Sequence, residues 1–281
     1  MDVSVDTITL EDFNPGNLLN DNTMTLSGMS IHNAQIGVYR DRNLPLDTLR
    51  RPLMPTRLMR TSPVHFFIPE IALHNIDVIY SELPQNGTNE GTVPITKIDA
   101  TIRNFTNITD SLQKDSLMRI MADGRFFKQA RLRASFEYNL QDLGGGYSAD
   151  GELSELDFTN LNNVLTPLLK TEVKSGVHTH TNFSFSGNDI VSTGTITMLY
   201  NGLELQEPDR SQIRRSIVGW AGRNIVYYPS NPHSDQETRE GAIEFERDPS
   251  RFVFHYWWNC YLSGIKTTVL RDNFNINSFS N

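Results

Sequence analysis

Residues 151–205 decide the fold and read GELSELDFTNLNNVLTPLLKTEVKSGVHTHTNFSFSGNDIVSTGTITMLYNGLEL. Apolar and polar residues alternate over Val177–Phe185 and again over Val191–Leu205, the period of two that is typical of β-strands. Gly187-Asn188-Asp189 lies between the two runs and suits a tight turn, because glycine and asparagine tolerate positive φ. The stretch therefore predicts a long β-hairpin with one apolar and one polar face.

A short helix is predicted just before this hairpin, near residues 160–166. Four apolar residues recur at helical spacing: Leu161, Val164, Leu165 and Leu168. Asp157 or Thr159 can cap the first turn by accepting from its free N–H groups. Pro167 lacks a backbone N–H, so we expect the helix to end or kink there.

The chain before residue 151 predicts more strands of the same kind. The candidate strands are Val3–Leu10, Thr23–Ile31, Gln35–Arg40, Phe66–Ile71, Asn75–Glu82, Val93–Ile102, Ser116–Ala122 and Ala130–Leu140. Asp123-Gly124 and Gly144–Gly146 are interpreted as hairpin turns, and the proline- and arginine-rich residues 43–63 as a crossing loop without helix. Because sequential strands usually pair, we expect an antiparallel meander.

A weak internal repeat lies within these strands. His32–Asp41 resembles His74–Glu82, although the spacing from histidine to tyrosine differs by one residue, which a bulge or an insertion would explain. The repeat is either a strand unit stacked in a repetitive sheet or a coincidence between two strands. The sequence leaves both interpretations open.

The pattern changes after residue 207, so we divide the chain into a sheet domain, 1–207, and a helical or mixed tail, 208–281. Helical spacing appears at Ile213, Ile217, Trp220 and Ala221, Ser230–Glu240 is interpreted as a polar loop, and Arg271–Asn281 as a polar tail. Asp248-Pro249 predicts the start of a second helix, which is apolar almost all round until Gly264. This helix either plugs the end of the sheet or contacts a membrane or a partner through Phe254, Trp257 and Trp258.

Composition narrows the classes of function. The 281 residues carry a net charge of −8, which disfavours a globally basic nucleic-acid binder. The single cysteine, Cys260, excludes an internal disulfide framework and a cysteine-rich zinc site. No run of about 18 apolar residues occurs, so the chain itself is not expected to span a membrane.

No motif of catalysis is present. His178 and His180 are two residues apart and would share one strand face, but no third ligand lies near them, so we interpret them as polar-face histidines. The sequence lacks a nucleophile elbow, a P-loop and a dinucleotide fingerprint. We therefore predict no catalytic residue, no cofactor and no metal, while a hydrolase with two carboxylates brought together in space stays an alternative.

One pattern resembles a known family. Gly151-x-Leu153, Leu156-Asp157-Phe158, Ser175-Gly176, Phe183-x-Phe185-x-Gly187-Asn188-Asp189 and Gly194-x-Ile196-x-Met198-x-Tyr200 are similar to the C-terminal region of AsmA-like proteins. The resemblance is close over residues 151–205, whereas residues 1–150 share only the general pattern of repeated strands. It implies the architecture of TamB and other bridge-like lipid-transfer proteins: a long, curved sheet with an apolar inner groove. Together with the strand pattern, it predicts an all-β protein, mainly β with a few helices, built on an elongated, curved antiparallel sheet.

The resemblance also implies a function. Such proteins lie on the periplasmic face of the Gram-negative envelope, held by an N-terminal inner-membrane helix that we expect to lie outside this chain. The function implied is non-enzymatic transfer of phospholipid between the membranes, or outer-membrane maintenance, with an envelope protein as a further partner and no nucleic acid. Candidate groove-lining residues, for which plain core packing is the alternative, are Phe183, Phe185, Ile196, Met198, Tyr200, Phe136 and Tyr138. A β-rich surface, adhesion or carbohydrate-binding module is the alternative function, and it predicts an exposed aromatic platform.

Overall fold

The computed structural model describes residues 1–45, 49, 51–206, 227–233 and 237–270. These residues are mostly β, and twelve strands form one long, curved, open sheet. The predicted fold class, a curved sheet with a few helices and a helix near the C-terminus, is confirmed. The sheet is mixed, however, and not wholly antiparallel.

Strands outnumber helices among the described elements. The strands are β1 (Asp2–Glu11), β2 (Thr23–Thr25), β3 (Gly28–Asp41), β4 (His65–Leu83), β5 (Gly91–Thr106), β6 (Leu117–Phe126), β7 (Ala130–Asn139), β8 (Tyr147–Leu153), β9 (Leu156–Asp157), β10 (Val173–Gly187), β11 (Val191–Leu205) and β12 (Glu240–Glu246). The helices are α1 (Pro15–Asp21), α2 (Pro55–Arg60), α3 (Thr109–Lys114), α4 (Asn162–Leu169) and α5 (Val253–Val269). The strands follow the order β1-β3-β4-β5-β6-β7-β8-β10-β11-β12, while β2 pairs with β4 and β9 with β10.

The sequence repeat forms the parallel pair β3–β4. His32 pairs with His74, and the offset of 42 residues holds along both strands. Asn33 and Asn75 both have positive φ, 53° and 55°, and Asn75 Nδ2 donates to Asn33 Oδ1 at 2.8 Å. The stacked-strand interpretation is therefore confirmed. Both copies share the same distortion at asparagine, so no insertion separates them.

The parallel pair needs a crossing connection, and the segment between β3 and β4 supplies it. The prediction that this segment contains no helix is wrong, because α2 forms within it. Pro55 occupies the first turn, where a missing N–H costs no hydrogen bond. Met54 and Met59 from this segment are buried in the main core. The prolines therefore select where the helix starts instead of preventing it.

The predicted hairpin is β10–β11, which pair antiparallel around a turn at residues 188–190. The predicted alternation fails at one point, because a bulge lies between His178 and His180. The extra residue moves the following side chains by one position relative to the sheet. As a result His178 is buried, whereas Val177, predicted to share the apolar face, is 43% exposed.

The helix predicted near 160–166 is longer and composed of two parts. A 3₁₀ turn covers Phe158–Leu161 and leads directly into α4. Asp157 accepts from the N–H of Thr159 at 2.8 Å, as the capping prediction requires. The helix continues two residues past Pro167, so the predicted end there is early. It ends where Lys170 adopts φ 54° and donates its N–H to the Thr166 carbonyl.

The hairpin turn predicted at Asp123-Gly124 is wrong. β6 continues through both residues to Phe126, and Gly124 faces Ile98, where a Cβ would lie 3.0 Å from Ile98 Cγ1. The turn is formed instead by Phe127 and Lys128, which have φ 50° and 59°. Non-glycine residues rarely adopt this conformation, so the sequence does not indicate it.

The tail contributes both a strand and a helix to the main fold. β12, which the sequence analysis does not predict, pairs with β11 from Thr197 opposite Glu240 to Val191 opposite Glu246. α5 starts after Asp248-Pro249 but continues past Gly264 to Val269. It packs along β11 and β12, the last two strands at this end of the sheet, and lies on their apolar face. The helix predicted around Ile213–Ala221 and the tail Arg271–Asn281 lie outside the described residues.

Close packing of strands makes one glycine essential to the hairpin. A Cβ at Gly194 would overlap the carbonyl oxygen of Ser184 and lie 2.5 Å from Cα of Phe185, both backbone atoms of β10. We expect Gly194→Ala to lower the free energy of unfolding by about 2 kcal/mol, measured by urea denaturation. Gly37→Ala is the matched control, since the nearest atom to its Cβ is 3.8 Å away. Equal midpoints for the two variants would contradict this packing.

Candidate functional site

One face of the sheet is apolar from end to end, and we call it the core face. Because partners across neighbouring strands point to the same side, the pairing register places a single row of side chains on this face. The row runs Leu10, Met29, Ile71, Ile102, Ile120, Phe136, Ala149, Phe185, Gly194 and Ile243. An uninterrupted apolar lane therefore joins the edge strand β1 to the edge strand β12.

A second row on the core face has small residues at its centre. It runs Ile8, Ile31, Leu73, Ala100, Ala122, Ala134, Gly151, Phe183, Ile196 and Gly241. The Phe183 ring lies over Gly151, where a Cβ would overlap its Cζ atom. The small residues let a large neighbour lie flat against the sheet.

Two helices cover part of the core face. α5 approaches β11 and β12 closely, because a Cβ at Gly264 would lie 2.7 Å from Ile243 Cγ1. α4 lies over the start of β5, where a Cβ at Gly91 would lie 2.7 Å from Leu168 Cγ. The crossing segment before β4 joins this cover, since Arg247 donates to the Pro52 carbonyl at 2.5 Å.

The predicted groove-lining residues all lie in strands that these helices cover. Five are buried: Tyr138, Phe185, Ile196, Met198 and Tyr200. Phe136 is half-buried, with the Trp257 ring of α5 at a centroid distance of 4.4 Å. Phe183 is half-buried against Tyr261 of α5 at 5.4 Å. The chain's own helix thus occupies the space above these side chains.

The three aromatic residues predicted to contact a membrane or a partner have different environments. Trp257 packs inward on Phe136 and Tyr138, so packing against the core explains why a large aromatic residue occupies this position. Phe254 is 69% exposed and Trp258 is 38% exposed. Of the three, these last two are exposed, whereas Trp257 is half-buried, in agreement with the interpretation of α5 as a plug.

The core face is uncovered at β1. Ile8 and Leu10, the first members of the two rows, are 53% and 38% exposed. Val3 and Val5 of the same strand are 55% and 39% exposed. They share the core face because the alternation is interrupted at Asp6, and the row of Val3 runs through Ile36, Val78 and Ile95 to the buried Phe126. We call the four β1 side chains the uncovered end. The sequence analysis predicts this strand but not its exposure, because exposure depends on which strands the helices cover.

The buried polar groups beneath α5 form a hydrogen-bonded chain. Ser192 Oγ lies 2.7 Å from Tyr147 Oη and 2.7 Å from Tyr256 Oη, and Tyr256 Oη donates to the Asn188 carbonyl at 3.2 Å. Burial raises the pKa of Tyr256 to about 12 and that of the Cys260 thiol to about 11. These groups are neutral, and their hydrogen bonds join α5 to the sheet.

The reactivity of the Cys260 thiol measures whether α5 stays on the sheet. The thiol is fully buried, and only the thiolate reacts with disulfide reagents. At pH 8 we expect native protein to react with Ellman's reagent at least ~100-fold more slowly than protein unfolded in urea, because both burial and the raised pKa protect it. Equal rates in the two states would show that α5 leaves the sheet readily.

The two predicted polar-face histidines do not share a face. His178 is buried, with Nδ1 2.9 Å from the Ser154 carbonyl and Nε2 2.7 Å from Thr181 Oγ1. Burial lowers the pKa of His178 to about 4. His180 lies near the surface, 3.0 Å from Asn182 Oδ1. The bulge separates the two rings. Among the described residues, no three His, Cys, Asp or Glu side chains are grouped to hold a metal ion.

The opposite face of the sheet, the polar face, carries a charged ladder and an open trough. Arg133 pairs with Asp123 at 3.2 Å and with Glu152 at 2.6 Å. The trough, about 590 Å³, crosses β4 to β10 and is lined by this ladder together with Asp150 and Asn182. Hydrogen bonding from Arg131 lowers the pKa of Asp123, the opposite of what a general acid needs.

Comparison with known proteins adds no relative. No family model, no curated protein and no solved structure matches this chain. The AsmA-like resemblance therefore stays a prediction from the residues of 151–205. No helix within the described ranges is long and apolar enough to cross a bilayer.

Proposed function

We propose that this protein is a non-enzymatic cell-envelope protein of the AsmA-like class, which holds phospholipid acyl chains on the core face of its sheet. The observation that carries the proposal is the apolar lane that spans the sheet and is exposed at Ile8 and Leu10. Apolar surface in contact with water costs roughly 25 cal/mol per Å², so acyl chains bind such a lane without a specific polar contact.

The position of the lipid follows from the cover on the core face. α5 occupies the space over β11 and β12, so in this conformation acyl chains have access at the uncovered end. The lane continues beneath α5 to Ile243, and a lipid that moved along it would have to displace the helix. The proposed location is the periplasmic side of the envelope, and transfer between membranes or outer-membrane maintenance is the proposed role.

Lipid retention on matched variants tests this proposal. Protein is incubated with vesicles of phosphatidylethanolamine and phosphatidylglycerol, re-purified, and its bound lipid measured by native mass spectrometry. The double variant Ile8→Gln, Leu10→Gln is expected to retain at least five-fold less lipid than the unmodified chain. Thr7→Gln, Thr9→Gln is the control, because adjacent residues of a strand point to opposite faces.

Two results would reject the lipid role. One is the absence of bound phospholipid on the unmodified chain after incubation. The other is an equal loss from both double variants, which would show that binding does not depend on the core face. Folding of each variant is checked by its urea midpoint, which we expect to change little because all four residues are exposed.

The trough on the polar face favours a second candidate, a carbohydrate-binding module. Asp150, Ser135 and Thr101 line it with groups that hydrogen-bond sugar hydroxyls, and Met121, 45% exposed, adds an apolar contact. None of the residues that line the trough is a phenylalanine, tyrosine or tryptophan, which the sugar hypothesis predicts as a platform. A glycan array tests this candidate. Saturable binding to a glycan that is abolished by Asp150→Ala would support it, and binding to no glycan on the array would reject it.

A further inference from the structure

Within the described part of the chain, β1 is an edge strand with one side of its backbone unpaired. Among the described strands it pairs only with β3, and the strand order ends with it. All ten of its residues are exposed. An edge of this kind presents a row of free N–H and C=O groups, which is a template for the addition of another strand.

The edge carries few of the features that normally prevent such pairing. Natural edge strands are blunted by charged side chains, above all lysine, and by proline, bulges or a covering element. The sequence DVSVDTITLE contains neither lysine nor proline, and its register with β3 does not shift from Asp2 opposite Gly37 to Glu11 opposite Gly28, although the pairing skips Asp6, which lies opposite Asn33. At the other edge strand, β12, side chains of α5 pair with backbone groups: the Glu244 N–H donates to Ser263 Oγ at 3.2 Å, and Thr267 Oγ1 donates to the Ala242 carbonyl at 3.0 Å.

The charges of β1 indicate what would pair with it. Asp2, Asp6 and Glu11 are its charged residues, and the ion pairs among the described residues include none of them. The Asp6 carboxylate accepts an amide hydrogen bond from Asn33 Nδ2 at 3.2 Å. A strand with basic side chains would neutralise these carboxylates. A second copy of β1 would bring acidic strands together, and like charges across strands are destabilising.

We propose that β1 is a docking edge for an extended segment of another protein, in which apolar residues alternate with lysine or arginine. The main chain of the segment would take up the free hydrogen bonds of the edge. Its apolar side chains would extend the two core-face rows beyond Ile8 and Leu10, and its basic side chains would meet the carboxylates. The proposal depends on the edge and its charge, not on lipid.

Peptide binding to the unmodified protein is the first test. The probe is a fluorescein-labelled peptide of sequence Lys-Val-Lys-Ile-Thr-Val-Lys-Leu, and binding is followed by fluorescence anisotropy. We expect saturable binding that is at least ten-fold weaker for the same peptide with glutamate in place of lysine. Added salt is expected to weaken binding of the basic peptide, because exposed charges are screened.

Charge reversal on the protein is the second test. The variant Asp2→Lys, Asp6→Lys, Glu11→Lys is expected to bind the basic peptide at least ten-fold more weakly and the glutamate peptide more tightly. Glu155→Lys is the control, because Glu155 is exposed and follows β8, several strands away in the sheet. Hydrogen exchange is expected to show slower exchange of β1 amides when the basic peptide is bound.

Four results would overturn the proposal. They are no saturable binding of the basic peptide, equal affinity for the two peptides, an equal effect of Glu155→Lys and the triple variant, and a concentration-dependent dimer that protects β1 amides. The last result would identify a second copy of the chain as the occupant. The peptide comparison uses unmodified protein, so a folding defect in the triple variant cannot imitate a failure of the proposal.

Discussion

Replacing Tyr256 with alanine is expected to lower the free energy of unfolding by about 4 kcal/mol, since truncating a buried aromatic residue leaves a cavity. Tyr256 is 1% exposed, and its ring packs against Tyr147 and Phe245 with centroids 6.1 and 6.2 Å away. Its hydroxyl also lies 2.7 Å from Ser192 Oγ. The residue therefore joins α5 to the sheet by packing and by hydrogen bonding.

Two further variants separate these contributions. Tyr256→Phe keeps the ring and removes the hydroxyl, so we expect a loss of about 1 kcal/mol. Phe254→Ala removes an aromatic ring from the same helix at a position 69% exposed, and a change within about 0.5 kcal/mol is expected. Urea denaturation measures all three. A loss for Phe254→Ala as large as that for Tyr256→Ala would mean that α5 lies on the sheet in a different rotation.

The same variant connects stability to the proposed role. If Tyr256→Ala loosens α5 without unfolding the sheet, Cys260 is expected to react faster with Ellman's reagent and lipid retention to rise, because more of the apolar lane becomes accessible. Faster thiol reaction with unchanged lipid retention would show that lipid does not use the part of the lane beneath α5.

Acidification from pH 7 to pH 4 is expected to destabilise the fold by about 3 kcal/mol through His178 alone. Burial lowers the pKa of this side chain to about 4 in the folded protein, against about 6.5 in the unfolded chain. Between these two values the unfolded chain binds a proton that the folded protein does not. The contribution of neutral His178 to the free energy of unfolding is therefore complete above pH 6.5 and is lost as the pH falls through 4.

A second histidine acts in the same direction. Burial and, to a smaller extent, the nearby Arg251 lower the pKa of His255 to about 4. The carboxyl groups with lowered pKa, such as Asp123 and Asp157, lose their contribution at lower pH, below the ordinary Asp value of 3.8. The window from pH 6.5 to 4 thus reports mainly on the two histidines.

Urea denaturation at several pH values measures the effect. His178→Gln keeps groups that can donate and accept but removes the titration, so we expect lower stability at pH 7 and a flatter pH dependence. His180→Gln is the control, because the His180 side chain lies near the surface beside Asn182, and the dependence of the unmodified chain should persist. An unchanged slope in His178→Gln would assign the pH dependence to other groups.

The local pattern of the sequence was enough to predict most strands. The alternation over Ala130–Leu140 corresponds to β7, and the repeat at His32 and His74 corresponds to the paired strands β3 and β4. Both signals depend only on which side of a strand each residue faces. The bulge at His178 and the turn at Phe127 were missed because the extra residue and the positive φ depend on neighbouring strands.

The candidate site was predicted in part. The seven proposed lining residues lie in the covered part of the sheet, in contact with the chain's own core, while the exposed part of the core face lies at β1, which the sequence analysis describes only as a strand. Apolar residues alternate along a strand in the same way whether a helix or solvent covers their side chains. Ile196, 1% exposed, lies beneath α5, whereas Ile8, 53% exposed, lies on the edge strand β1.

By itself, the sequence determined that this protein is mainly β, with apolar and polar faces, a helix after Asp157 and an aromatic helix after Pro249, because these features follow from the spacing of side chains along a local backbone. Only the tertiary structure decided the parallel pairing of β3 with β4, the entry of β12 into the sheet and the seat of α5 on the core face. These depend on contacts between residues far apart in the chain, which no local spacing specifies.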